Sequence, residues 1–134
     1  MSKLEDIIAS GNRGGHVENG DSTITCTDGF TVSVIAGGGT YCTPRPGLCS
    51  FRVTGSSYMC EPMPLPGLYE KGCDYTGPFT HVEVGFPSEK PEPWGQWSER
   101  FEDWGDSDPL TSVYSYVPVD LVRELVAAHG GERA

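Results

Sequence analysis

Two alternating segments, Ser22-Thr23-Ile24-Thr25-Cys26-Thr27 and Phe30-Thr31-Val32-Ser33-Val34-Ile35, meet at Asp28-Gly29 and then break into Ala36-Gly37-Gly38-Gly39-Thr40-Tyr41-Cys42-Thr43-Pro44-Arg45-Pro46. This junction constrains the fold more than any other stretch. Period-two alternation around Asp-Gly predicts an antiparallel hairpin closed by a type I′ turn. Phe30, Val32 and Val34 share one face of its second strand, with Thr31, Ser33 and Ile35 on the other. Three glycines and two prolines then stop the chain from continuing as strand or helix.

Turn residues dominate from Gly37 to Gly77, interrupted by short strand candidates at Ser50 to Val53 and Ser57 to Cys60. Glycine (18) and proline (11) fill more than a fifth of the 134 residues. That composition predicts one domain with sparse secondary structure and long ordered loops. Prolines at every second position from Pro62 to Pro66 favour an extended polyproline II course.

The second half is more regular. Phe79-Thr80-His81-Val82-Glu83-Val84-Gly85-Phe86 reads as a strand, with Thr80, Val82, Val84 and Phe86 as its core face. Pro93 is placed to open a helix through Phe101, whose Trp94, Trp97 and Phe101 recur at helical spacing and read as core. Val113-Tyr114-Ser115-Tyr116-Val117 alternates again, putting Val113, Ser115 and Val117 opposite Tyr114 and Tyr116. Pro118 to His129 is the strongest helix, with Leu121, Val122, Leu125 and Val126 as its apolar stripe and Gly130-Gly131 as its stop. With no βαβ rhythm, the expected fold is α+β: a mostly antiparallel sheet with two late helices packed on it and long Gly/Pro-rich loops. Residues 1–20 are expected to form a short helix, Leu4 to Ser10, and a loop peripheral to the domain.

Asp and Glu (19) outnumber Lys and Arg (9), giving a net charge of −10. Such a chain repels nucleic acid and anionic membranes, so neither is an expected direct partner. The densest carboxylate cluster is Glu99, Glu102, Asp103, Asp106 and Asp108. Blandly it is a solubilising surface; an acidic protein can also imitate the charge of DNA towards a nucleic-acid-binding partner. The start of the chain is acidic, its apolar run is only Ile7-Ile8-Ala9, and no segment approaches membrane-spanning length. With no secretory signature, the five cysteines are expected to be reduced thiols in a cytosol.

Chemistry-bearing motifs are few. Cys42, Cys49, Cys60 and Cys73 form the one candidate metal set, for zinc, but their intervals exceed the two-residue knuckles that preorganise such sites, and small buried cysteines explain them as well. His16, His81 and His129 share no ligand spacing. A Gly-x-Ser-x-Gly elbow, a phosphate loop and a His-Glu-x-x-His helix are all missing, so no catalytic residue and no cofactor is assigned. The candidate binding residues are Gly37, Gly38, Gly39, Tyr41, Arg45 and Trp94. The glycines offer backbone N–H groups to an anion, and Arg45, stiffened between prolines, works with Tyr41 or a tryptophan to hold a planar group. The competing reading is that the glycines merely make a tight bend.

Taken together, the Gly37-to-Pro46 block, Val82-Glu83-Val84-Gly85-Phe86-Pro87-Ser88, Pro91-Glu92-Pro93-Trp94 and the stretch from Val113 through His129-Gly130-Gly131 resemble small uncharacterised proteins encoded by bacteriophages of actinobacteria. The resemblance covers most of residues 28–131, least recognisably Cys49 to Cys73, and gives no residue a role. It implies a viral accessory protein expressed in a host bacterial cytoplasm. The expected function is non-enzymatic binding of a host component, foremost a host protein, for host takeover or counter-defence. The alternatives are a small-molecule protein that binds or sequesters a nucleotide signal, and a zinc-stabilised structural or virion protein.

Overall fold

A computed structural model describes residues 2–13, 20–46, 49–51, 58–60, 71, 75–102 and 108–133, with backbone alone at 49–51 and 58–60. The proline run 62–66, His16, Cys73, Asp103 and Asp106 lie outside the described residues. The elements run α1 (Lys3–Ser10), β1 (Thr23–Thr25), β2 (Thr31–Ile35), β3 (Cys49–Phe51), β4 (Tyr58–Cys60), β5 (His81–Gly85), α2 (Trp94–Trp97), a 3₁₀ turn (Ser98–Arg100), β6 (Val113–Pro118) and α3 (Val119–Ala128). Strands β1-β2-β5-β6 form one antiparallel sheet in that order, and β3 pairs with β4 in a small ribbon of its own. The fold is α+β, and of the three α-helices among the described residues two come late in the chain.

Alternation decides the buried face. Ile24, Val32, Val34, Val82, Val84, Tyr114 and Val117 are buried on one side of the sheet, together with Leu4, Ile7 and Ile8 of α1 and Leu121, Val122, Leu125 and Val126 of α3. The predicted hairpin forms, but its turn differs. The Gly29 N–H donates to Cys26 C=O at 3.0 Å, the Cys26 N–H to Phe30 C=O at 2.8 Å, and only Gly29 of the two central residues has positive φ. That is a type I turn followed by a glycine bulge rather than type I′, and the Asp28 carboxylate steadies it by accepting from the Phe30 N–H at 2.9 Å. Helix α3 ends as predicted: the Gly130 N–H bonds Ala127 C=O and the Gly131 N–H bonds Val126 C=O, the paired bonds of a Schellman motif.

Three expectations are corrected. Helix α1 is not peripheral: Leu4, Ile7 and Ile8 are core residues, and Arg123 of α3 grips the Glu5 carboxylate with two hydrogen bonds of 2.8 Å. Phe79 and Phe86 exchange places, Phe79 being 2% and Phe86 56% exposed, because both lie outside β5 where its pleat no longer governs them. The predicted 93–101 helix is one turn of α-helix followed by a 3₁₀ turn, with Pro93 as its extended cap rather than its first residue. Its aromatic stripe is core all the same. Trp97 is fully buried, its ring perpendicular to Tyr114 at 5.4 Å, with Trp94 and Phe101 packed against the core.

Both outer strands are bordered by short segments of chain. Beside β1, the Thr27 N–H donates to Gly131 C=O and the Arg133 N–H to Thr25 C=O. Beside β6, Phe101 bridges Tyr114 and the Glu102 N–H donates to Val113 C=O.

Candidate functional site

The most irregular point of the sheet lies between β5 and β6. Val82 pairs with Val117 and Val84 with Tyr114, so β5 spends one residue, Glu83, where β6 spends two, Ser115 and Tyr116. This β-bulge overturns the expected split of β6, bringing Tyr114 and Val117 to the same core face although they are three residues apart. It also places Tyr116 in the left-handed region at φ +49°, a conformation that costs a bulky residue on the order of 1–3 kcal/mol. Freed from the ladder, the Tyr116 N–H donates to Tyr41 C=O at 3.1 Å.

Residues 37–43 cross the sheet at this bulge. Gly37 lies against the Arg13 backbone so closely that a Cβ there would sit 2.0 Å from the Arg13 carbonyl oxygen, at a φ of +129°. Its own C=O accepts from the Thr40 N–H and hydroxyl, closing a tight turn over Gly38 and Gly39. The described bonds of the three glycines thus serve a close approach and a bend. The turn delivers the Tyr41 N–H to Glu83 Oε1 at 2.9 Å and the Tyr41 ring to within 5.7 Å of the Tyr116 ring. The Arg45 guanidinium lies over the Tyr41 ring at 5.3 Å. Trp94, the remaining predicted residue, packs instead with Phe101 and Tyr114 on the core side, beneath the Lys90 ammonium.

Glu83 is the centre of the arrangement. It alternates with the buried Val82 and Val84, so its half-buried carboxyl stands on the face opposite the core. Burial pushes its pKa up, and the Glu102 charge adds to that; the Tyr41 N–H and the positive charges of Arg13 and Arg45 oppose it without cancelling it. Oε2 has no hydrogen-bond partner among the described residues. Nearby, Arg100 donates from Nη1 to Tyr116 C=O at 3.2 Å while its buried Nε finds no acceptor, and the Ser115 hydroxyl donates to Glu102 at 2.6 Å. Two of the nine Lys and Arg residues of an acidic chain, Arg13 and Arg45, therefore act on this carboxylate, and a third, Arg100, holds the Tyr116 backbone.

The structure sets the Arg45 guanidinium over the Tyr41 ring and adds Glu83, Tyr116, Arg13 and Arg100 to the surroundings. The one sequence signal for these is Glu83, an acid between two strand valines. Nothing in the alternation of β6 marks the bulge. Cys42 lies beneath the loop, buried, its Sγ 3.5 Å from the Gly37 and Pro44 carbonyl oxygens; burial pushes its thiol pKa up, which disfavours the thiolate a zinc site needs. Cys49 and Cys60 are backbone partners in the β3–β4 register. Among the described residues, no group of three or more His, Cys, Asp or Glu side chains is placed to hold a metal ion, and no helix is long and apolar enough to cross a membrane. Compared with protein-family models, with curated proteins and with solved structures, the chain matches none.

Proposed function

We propose that this chain is a non-enzymatic binding protein that holds a small planar anion of its host cell, by chemistry a nucleotide, on the bulged face around Glu83. The observation that carries this reading is the half-buried Glu83 with one oxygen unspent, set among arginines and a tyrosine pair. Partial burial raises the pKa of this carboxyl, and perturbed ionisable groups concentrate at functional sites. Tyr41 and Tyr116 offer aromatic faces to a base, while the positive charges of Arg13 and Arg45, which already act on Glu83, favour a phosphate nearby. In the phage accessory setting that the resemblance implies, the role is sequestration of a host nucleotide signal. Thermal-shift and calorimetric titration against a nucleotide panel tests it. At least one nucleotide is expected to stabilise the protein, with Arg45→Ala weakening binding about tenfold or more through loss of a charge-assisted contact. A wild type that no nucleotide shifts, or binding indifferent to Arg45→Ala, overturns the reading.

A host-protein partner, the first expectation from the sequence, has its own support in Phe86. This ring is 56% exposed and held at φ +51°, with Leu110, 38% exposed, two residues from the Ser112 carbonyl that accepts the Phe86 N–H. An aromatic presented on a costly backbone is the kind of anchor that protein interfaces use. A host-lysate pull-down in which Phe86→Ser captures the same proteins as the wild type would sink it.

A further inference from the structure

Resting on the nucleotide reading, we infer that Glu83 reads the edge of the bound base and selects guanine. The argument starts from what each oxygen of Glu83 is doing. Oε1 is anchored by the Tyr41 N–H at 2.9 Å, which orients the carboxylate, and Oε2 carries no hydrogen bond from the described residues. Arg13 and Arg45 are close enough to act on Glu83 electrostatically but do not hydrogen-bond to it, so their donors do not fill that oxygen.

An ionised carboxylate only accepts hydrogen bonds. Oε2, together with the remaining lone pair of Oε1, suits a ligand edge that presents two adjacent N–H groups. Guanine offers that edge, in its ring N1–H and its exocyclic amino group. Adenine and cytosine offer a donor beside a bare ring nitrogen, which would set a lone pair against the carboxylate. Uracil offers one N–H between two carbonyls, and hypoxanthine keeps the N1–H but lacks the amino group. A site built to pair a polar group rejects analogues that leave it unpaired far more strongly than an apolar pocket does.

The surrounding groups fit the same ligand. The rings of Tyr41 and Tyr116 lie 5.7 Å apart at 44° beside this carboxylate and supply faces on which a purine stacks. Arg100 bonds the Tyr116 carbonyl through Nη1 at 3.2 Å and so helps hold that left-handed residue beside the carboxylate. The charged and titratable groups around Glu83 are Arg13, Arg45 and Cys42 from the crossing segments, and Glu102 beside β6. Burial and Glu102 favour the neutral acid, and the arginines favour the ion. A neutral acid presents one donor and one acceptor and loses the guanine match, so the preference should strengthen as pH rises through the elevated pKa.

The test is calorimetric titration of the whole chain with GMP, IMP and AMP at two pH values, on wild type, Glu83→Gln and Glu83→Asp. Urea unfolding of each variant verifies that it is folded. Wild type is expected to bind GMP about tenfold or more tighter than AMP, with IMP between them. Glu83→Gln should bring the GMP and AMP affinities within about threefold by weakening GMP and strengthening AMP, because the amide presents one donor beside one acceptor. Glu83→Asp, which withdraws the carboxylate by one methylene, should lose part of the preference and keep its pH dependence. Equal affinity for GMP and AMP in wild type, or a guanine preference that survives in Glu83→Gln, overturns this inference while leaving the nucleotide reading intact. Failure of every nucleotide to bind overturns both.

Discussion

Replacing Glu132 with glutamine should loosen the join between the two ends of the chain by an amount that can be worked out in advance. The Glu132 carboxylate accepts from the backbone N–H groups of Lys3 and Leu4, each at 3.0 Å, and from the Ser2 hydroxyl. It thereby satisfies two orphan donors at the start of α1 and sets a negative charge at the positive end of that helix. Burial pushes its pKa up, but the bonds from Ser2, Leu4 and Lys3, with the Lys3 charge, outweigh burial and hold it below the ordinary value. Glutamine keeps one acceptor and loses the charge. Hydrogen bonds to a charged group contribute about 1.5–3 kcal/mol, and partial exposure brings the expected loss to about 1.5 kcal/mol. Unfolding entropy for this length is roughly 0.28 kcal/mol/K, so Tm should fall by about 5 °C. A group whose folded pKa is depressed contributes fully above its unfolded pKa and loses the contribution as pH falls through the folded value. Urea unfolding from neutral to acidic pH should therefore show wild type and Glu132→Gln separated at neutral pH and converging in acid. A separation under about 0.5 kcal/mol at neutral pH, or one that persists unchanged in acid, refutes the reasoning.

Two further outcomes follow from the crossing segment and the bulge. Gly37→Ala should destabilise the fold by at least about 2 kcal/mol in chemical denaturation, because the new methyl meets the Arg13 carbonyl at a φ that alanine resists. Glu83→Gln should gain stability relative to wild type as pH rises: the folded pKa of Glu83 is raised, so its ionisation destabilises the fold above the ordinary carboxylate range, and the two proteins should converge at acidic pH in the same assay.

How far the chain could be read in advance depended on whether a residue answered to a local rule. Val32, Val34, Val82 and Val84 obey period two, and Leu121, Val122, Leu125 and Val126 obey the helical period; all eight are buried as expected. Trp97 declared itself by size and spacing. Helix α1 has only three core residues and looked dispensable, because what secures it lies 118 to 130 positions away in Arg123 and Glu132. The bulge escaped for a related reason: it arises from the mismatch of two strands and has no signature in either. With it went Tyr116, Arg100 and the setting of Glu83. Tyr41 and Arg45 were legible because the glycine turn and the prolines that position them lie beside them in the chain.

The borders of the main sheet limit how this protein can meet another. A common route of recognition adds a partner's extended peptide to an exposed edge strand, backbone to backbone, with little regard for side chains. Here residues 131–133 lie along β1 and residues 101–102 along β6, so the chain has filled those berths itself. An intruding strand would first have to evict one of them, and self-assembly by edge pairing meets the same obstacle. Recognition is thereby directed to the faces and corners of the sheet, where side chains decide which visitor stays.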